Sequence, residues 1–257
     1  MKRLLTLLAA CIAACAATAQ SRIETFTFRS ALLGAEKTCS VYLPAGYDDS
    51  GRSYPVLYLL HGASGYHGDW AEKGNMRQIA DEAIAAGTAL PMIVVMPDAS
   101  GTGENYTGDR MGYFDVPGWP YERFFFEEFV PAVERRYRIC GDKARRAISG
   151  LSMGGGLLEA YGDPGENAFR RSVAENNPVQ MVRDLSDAEA AAQRTVRWWV
   201  DCGDDDFLAL ANIHFYEAMR LRDIPLQYRM RDGGHTWRYW QTALHDILAF
   251  VSVGFAE

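Results

Sequence analysis

Short apolar runs alternate with segments of helical periodicity along most of the 257 residues, and this alternation is the strongest constraint on the fold. Val56–Leu60 and Met92–Met96 are apolar throughout, as expected for strands that are covered on both faces. Met76–Ala86 lies between them and repeats its apolar residues in the helical manner before Gly87. The pattern therefore predicts an α/β fold with a mainly parallel sheet and helices on both faces.

The rest of the chain continues this alternation. Further strands are predicted at Ile23–Arg29, Thr38–Leu43, Ala144–Ile148, Val196–Val200 and Leu226–Met230, and further helices at Tyr121–Tyr137, Asn212–Arg222 and Trp237–Val251. The sequence contains no internal repeat, low-complexity tract or linker, and a chain of this length can form one α/β domain. We therefore expect a single domain over residues 20–257.

The first nineteen residues differ in kind from the rest. Two basic residues precede an apolar stretch that is too short to span a bilayer, and Ala17-Thr18-Ala19 is a small-x-small cleavage signal. We expect residues 1–19 to be a signal peptide, cleaved after Ala19, and the protein to be periplasmic or secreted. The stretches that end at Cys11 and Cys15 also resemble a lipoprotein box, so lipid anchoring is the alternative. No other segment is long and apolar enough to cross a membrane.

Charge and cysteine content exclude several classes of protein. The formal charge is −7, so neither nucleic acid nor an anionic membrane is predicted as a partner. Cys39, Cys140 and Cys202 follow the predicted signal, and an odd number leaves at least one free thiol. No cysteine or histidine cluster has zinc-site spacing. Asp201, Asp204 and Asp205 could suggest a cation site, but no further oxygen-ligand pattern supports one, so they are interpreted as a solvated loop. We predict neither a disulfide scaffold nor a metal or other cofactor.

A Gly-x-Ser-x-Gly pentapeptide, Gly150-Leu151-Ser152-Met153-Gly154, follows the predicted strand Ala144–Ile148. Glycines two residues before and after a serine suit a sharp strand-to-helix turn, where a Cβ has no room and the hydroxyl is presented at the edge of the sheet. A serine is a weak nucleophile unless a base accepts its proton. An ordinary glycine-rich turn is the alternative for the pentapeptide alone, so its partners decide between the two.

Carboxylates and a histidine follow two later strands, at the edge where the functional groups of open parallel sheets lie. Gly203-Asp204-Asp205-Asp206 follows one strand, and Gly233-Gly234-His235 follows the other. His235 would accept the proton of Ser152 and return it to the leaving group, with one of the aspartates orienting its ring.

An oxyanion hole is predicted from two backbone N–H groups. That of Met153 follows the serine, and that of Ala63 lies in the loop after Val56–Leu60. His61 in the same loop is predicted to pack behind it rather than to take part in the chemistry.

Four segments together make the chain similar to the putative esterase family: Val41-Tyr42-Leu43-Pro44-Ala45-Gly46-Tyr47, Tyr54-Pro55-Val56-Leu57-Tyr58-Leu59-Leu60-His61-Gly62, Gly150-Leu151-Ser152-Met153-Gly154-Gly155 and Gly233-Gly234-His235-Thr236-Trp237. That family includes esterase D, the feruloyl and acetylxylan esterases of carbohydrate esterase family 1, and mycolyltransferases. The resemblance covers almost the whole chain after residue 19. It implies an α/β-hydrolase fold with the triad in the order Ser, Asp, His. Family members carry the acid three residues after the glycine that ends its strand, which implies Asp206 here.

Aromatic residues supply the predicted substrate contacts. Tyr106 and Trp119, in the long loop from Ala99 to Pro120, and Trp237, after the histidine, would stack on a sugar or an aromatic acyl group. Packing within the protein is the alternative for the aromatic residues of the loop.

The stretch after the pentapeptide departs from the family pattern. Relatives continue with a longer helix and an apolar strand, whereas Gly162-Asp163-Pro164-Gly165 ends the helix here and residues 157–195 lack a strand-like apolar run. One βα unit is therefore predicted to be missing. If the flanking strands pair directly, Asp206 moves by about 4.8 Å, and triad hydrogen bonds need about 2.6–3.2 Å. An irregular segment that fills the gap is the alternative, and it would leave the triad intact.

These observations predict an exported serine esterase that de-acylates carbohydrate esters of the feruloyl or acetyl type through a triad and an acyl-enzyme. An acyltransferase or thioesterase would use the same acyl-enzyme and is the first alternative. A catalytically impaired, truncated relative is the second alternative, because of the shortened segment. No oligomeric state is predicted.

Overall fold

The computed structural model describes residues 20–101, 112–116, 118–155 and 177–256. The predicted signal peptide and Tyr106 lie outside the described residues, as do residues 156–176 of the shortened segment.

Each predicted strand is present, and two further strands form a small hairpin. The strands are β1 (Arg22–Arg29), β2 (Glu36–Leu43), β3 (Val56–Leu60), β4 (Ile93–Pro97), β5 (Asp115–Val116), β6 (Trp119–Pro120), β7 (Arg146–Gly150), β8 (Trp198–Gly203) and β9 (Leu226–Arg231). The main sheet has the order β1-β2-β4-β3-β7. Its first two strands are antiparallel additions, and β4, β3 and β7 are parallel to one another.

Helices flank both faces of this sheet, as predicted. They are α1 (Tyr47–Ser50), α2 (Asp69–Glu72), α3 (Met76–Ala85), α4 (Tyr121–Phe124), α5 (Val130–Arg136), α6 (Pro178–Asp184), α7 (Asp187–Gln193), α8 (Ala209–Leu221) and α9 (Trp237–Ala256). A π-helical turn, Phe125–Phe129, joins α4 to α5. Pro131 follows this turn and has no N–H to donate to the preceding turn, and a π-turn accommodates such a missing bond. Among the described residues, no helix combines the length and the hydropathy that crossing a bilayer requires.

Successive residues of β3 enter two different cores because side chains alternate across a strand. Tyr58 packs with Phe129 on the face that α4 and α5 cover. Leu57 belongs to the opposite core, together with Ile79 of α3 and Leu248 of α9. All five residues of β3 are buried, which explains why its sequence is apolar throughout.

Among the described residues, the main sheet ends at β7. β8 and β9 form a separate parallel pair, and among the described residues neither strand pairs with β7. Ile148 of β7 is accordingly 53% exposed although it lies in the parallel part of the sheet. Residues 178–193 form the two short helices α6 and α7, so the described part of the shortened segment contains no strand.

Helix α9 connects the two sheets. It packs against β7 and against β8, and the ring of its Phe250 lies 5.3 Å from that of Trp199. Arg197, just before β8, donates a hydrogen bond of 2.9 Å to the carbonyl of Phe250. Helix α9 therefore joins the two sheets in the part of the chain that the structure describes.

Candidate active site

Strand β7 leads directly into a sharp turn that presents Ser152. Ser152 has φ +53°, a left-handed conformation that is uncommon for a residue with a side chain. A Cβ on Gly150 would lie 2.5 Å from the carbonyl oxygen of Gly154, and one on Gly154 would lie 2.7 Å from the Cβ of Leu60. Both flanking positions therefore require glycine, which is the physical basis of the pentapeptide.

Ser152, His235 and Asp206 form one chain of hydrogen bonds. The Nε2 of His235 lies 2.9 Å from the Oγ of Ser152, and its Nδ1 lies 2.8 Å from Oδ2 of Asp206. Asp206 is buried, and its other oxygen accepts a 2.9 Å hydrogen bond from the N–H of Leu208. Because the Asp206 carboxylate can only accept a hydrogen bond, the His235 ring proton is assigned to Nδ1. The lone pair on Nε2 can then accept the hydroxyl hydrogen of Ser152.

Close contact between two glycine turns aligns the histidine with the aspartate. A Cβ on Gly203, at the end of β8, would lie 2.0 Å from the carbonyl oxygen of Gly233 after β9. The N–H of Asp205 donates to the same carbonyl over 3.0 Å. The loops that carry Asp206 and His235 are thus held together by backbone contacts that side chains would prevent.

Among the described residues, Ser152 follows a strand of one sheet and its two partners follow strands of the other, and the three side chains are still in hydrogen-bond contact. Because β8 does not pair with β7, the displacement by one strand spacing expected from direct pairing does not occur. A cavity of about 120 Å³ lies below the three residues, and its lining includes Trp199, Leu208 and Ile247. The hydrogen-bond distances fall within the range that proton transfer requires.

The loop that follows β3 lies against the serine turn. A Cβ on Gly62 would lie 3.3 Å from the Cβ of Ser152, which places the Gly62–Ala63 peptide beside that residue. Among the described residues, neither the N–H of Ala63 nor that of Met153 donates to a carbonyl of a turn or loop. Both N–H groups belong to peptides that lie beside Ser152.

His61 fixes the direction of that peptide. It is buried, its Nε2 accepts a 2.9 Å hydrogen bond from the N–H of Ala99, and its Nδ1 donates over 2.7 Å to the carbonyl of Gly62. Burial lowers the pKa of His61, which keeps the ring neutral as this bonding requires. The carbonyl of Gly62 and the N–H of Ala63 point in opposite directions from one trans peptide, so His61 sets the direction of the Ala63 N–H.

Two aromatic rings contact His235 that were not predicted from the sequence as site residues. The ring of Phe207 lies 4.7 Å from the imidazole, and the ring of Trp240 lies 4.9 Å away in an edge-on arrangement. Phe207 directly follows the aspartate, and Trp240 lies in the first turn of α9. Trp237 is half-buried and packs edge-on against Trp70 and Trp240 at 5.4 and 5.3 Å, and its contact with substrate stays a prediction.

The described aromatic residues of the long loop are packing residues. The prediction that Trp119 stacks on substrate is wrong: it is 1% exposed and belongs to the core beside β4, with the Lys37 ammonium 5.9 Å from its ring. The hydroxyl of Tyr113 accepts a 2.8 Å hydrogen bond from the N–H of His61. An apolar ring in this loop gains more by entering the core than by facing water.

The acidic loop divides into a buried and an exposed part. The prediction that Asp201 is solvated is wrong, because its side chain is 4% exposed and contacts Arg231 and Tyr239. Asp204 and Asp205 are exposed, and Asp232 brings a third carboxylate oxygen within 4.8 Å of theirs. Cys39, Cys140 and Cys202 are all free thiols.

Comparison with known proteins places this site in a family. Residues 30–251 match the family model described as "Putative esterase". A ferulic acid esterase of known structure superposes with a TM-score of 0.87 and 40% sequence identity, over 93% of this chain and 100% of that chain. The chain is 36% identical, over 52% of its length, to the endo-1,4-beta-xylanase/feruloyl esterase of Xylanibacter ruminicola. It is 29% identical, over 64% of its length, to an esterase of Mycobacterium tuberculosis.

This chain spans 18% of the Xylanibacter protein and 34% of the mycobacterial one, so each relative carries much additional sequence. Its fold is that of the α/β-hydrolase esterases with which it superposes. The matched family model covers most of both sheets and the strained serine turn. The chain belongs to the putative esterase family.

Proposed function

We propose that this protein is a serine esterase that removes feruloyl or acetyl groups from carbohydrate through an acyl-enzyme. The hydrogen-bond chain from Ser152 through His235 to Asp206 carries the proposal, because it joins a nucleophile, a base and an orienting acid. The similarity to a ferulic acid esterase over the whole of that protein supports the substrate class.

In the first half of the proposed reaction, Ser152 Oγ attacks the ester carbonyl carbon while His235 Nε2 takes the hydroxyl proton. The carbonyl oxygen becomes negatively charged and accepts hydrogen bonds from the N–H groups of Ala63 and Met153; one such donor is typically worth about 10²–10³ in rate. The bond to the alcohol oxygen then breaks. The alcohol leaves with the proton from His235, and the acyl group stays on Ser152.

In the second half, water attacks the acyl-enzyme and His235 accepts a proton from it. The oxyanion again lies at the two N–H groups, and its collapse releases the carboxylic acid. His235 returns the proton to Ser152, and the buried Asp206 stabilises each imidazolium stage. All atoms and protons balance without a cofactor.

The test is hydrolysis of p-nitrophenyl acetate and methyl ferulate by the purified protein. We expect a burst of about one equivalent of p-nitrophenol, then turnover on both esters, with kcat lowered about 10⁴-fold or more in Ser152→Ala. Added sugar alcohols measure how much acyl group is transferred instead of released as acid. Absence of a burst and of turnover at neutral and mildly alkaline pH would contradict the proposal.

We also propose that residues 1–19 direct export. The basic residues, short apolar stretch and Ala17-Thr18-Ala19 support this interpretation. Mass spectrometry of the protein expressed at full length should find a mature N-terminus at Gln20. A mature chain that starts with a lipid-modified Cys11 or Cys15 would instead support anchoring, and an uncleaved Met1 would contradict export.

A further inference from the structure

Phe207 is an unusually exposed aromatic residue at the mouth of the site. It is 69% exposed, and no regular element contains it, since it lies between the end of β8 and the start of α8. Leu210, three residues later, is also 69% exposed. Exposed apolar side chains that adjoin a functional group commonly mark a surface that binds a ligand.

The position of Phe207 is defined by its contact with His235. The two ring centroids lie 4.7 Å apart with an interplanar angle of 49°. Support of the imidazole does not depend on Phe207 alone, because Trp240 packs edge-on against the same ring and Asp206 holds its Nδ1. Because Phe207 is 69% exposed, most of its ring surface faces solvent next to His235.

In the proposed reaction, the carbonyl oxygen and the alcohol oxygen of the bound ester lie on different sides of Ser152. The carbonyl oxygen points toward the Ala63 and Met153 N–H groups, and the alcohol oxygen must lie near His235 Nε2 because that atom protonates it. A ring that packs on His235 thus lies beside the alcohol portion rather than beside the oxyanion.

We propose that Phe207 is a specificity-determining residue that binds the sugar on the alcohol side of the ester. This inference rests on the proposed function. The C–H face of a sugar ring is apolar and packs on an aromatic ring, while the sugar hydroxyl groups on the other face remain in water. A platform that is open to solvent suits such a ligand better than a buried pocket does.

The experiment compares two esters with the same acyl group, methyl ferulate and 5-O-feruloyl-L-arabinose. For Phe207→Ala, the ratio of kcat/KM for the sugar ester to kcat/KM for the methyl ester should fall about fivefold to tenfold, mainly through KM. Leu221→Ala is the matched control, since Leu221 is 72% exposed at the other end of α8. Its ratio should equal that of the wild type.

A ratio of kcat/KM values that stays unchanged in Phe207→Ala would overturn the inference. If kcat/KM falls equally on both esters and the pH profile shifts, Phe207 only supports His235. If the wild type hydrolyses neither ester, the proposed function fails instead, so the two failures are distinguishable. Phe207→Tyr keeps the ring and should restore the ratio, which separates recognition from a folding defect.

Discussion

Single side chains set the geometry of the site through hydrogen bonds that each fix one direction. His61 shows this most clearly, because it neither touches Ser152 nor lies at the surface, yet both of its ring nitrogens are engaged. Its bond to the Gly62 carbonyl fixes the direction of the Ala63 N–H in the peptide beside Ser152. The role predicted from the sequence, packing behind the loop, was right about burial but did not include the orientation of the peptide.

His61→Ala should therefore lower kcat on p-nitrophenyl acetate about tenfold with little change in KM, because a misdirected oxyanion donor weakens only the transition state. His61→Asn should restore part of the loss, since its amide can donate to the same carbonyl. His67→Ala is the control: His67 is half-buried nearby and bonds Ser40 rather than the loop. Steady-state kinetics that show equal kcat in all the variants would contradict the orienting role.

Secondary-structure elements meet at backbone contacts that only glycine allows. The turn that follows β7 brings Gly154 against the carbonyl of His61, where a Cβ would lie 2.7 Å from the oxygen. Gly203 and Gly233 make the corresponding contact between the loops of Asp206 and His235. The positions of these glycines in the sequence are recognisable, but which backbone each one meets depends on the packed structure.

Gly154→Ala should destabilise the protein by about 1–3 kcal/mol, because neither the β3 backbone nor the strained Ser152 turn can move to admit a methyl group. Gly155→Ala is the matched control, since the nearest described atom to its added Cβ is the Gly150 carbonyl oxygen, at an ordinary contact distance of 3.5 Å. That variant should stay within about 0.5 kcal/mol of the wild type. The measurement is urea unfolding; equal midpoints for the two variants would contradict the close contact.

The central elements were predictable from sequence because their burial leaves a clear pattern. Val56–Leu60 has the predicted bounds, and Met76–Ala85 ends one residue early. The strand predicted at Ala144–Ile148 instead begins at Arg146, because Asp142 caps a 3-10 turn over Lys143–Arg145. The aromatic loop was harder, because an aromatic residue suits a core and a binding surface equally well, and only packing decides between them.

The molecule as a whole assembles its site across two sheets. Ser152 belongs to the turn after the main sheet, whereas Asp206 and His235 belong to loops of the β8–β9 pair, and α9 packs on both. The sequence predicted that a strand unit is missing, and in the described part of the chain β8 does not pair with β7. The relative placement of these two strands could not be predicted, because hydrophobic periodicity carries no information on the distance between strands that do not pair. The 2.9 Å contact between His235 and Ser152 joins the loops of the β8–β9 pair to the turn that follows the main sheet.

Labelling with a serine-directed organophosphonate tests the contact between His235 and Ser152 most directly. The labelling reaction needs both the Ser152 hydroxyl and a base, and the base would be His235, from the loop after β9. Intact-mass and peptide analysis should find one adduct per chain, on the peptide that contains Ser152. The adduct should be absent in Ser152→Ala and should form about 10³-fold or more slowly in His235→Ala. A label on another serine, or an equal labelling rate in His235→Ala, would contradict an assembled triad.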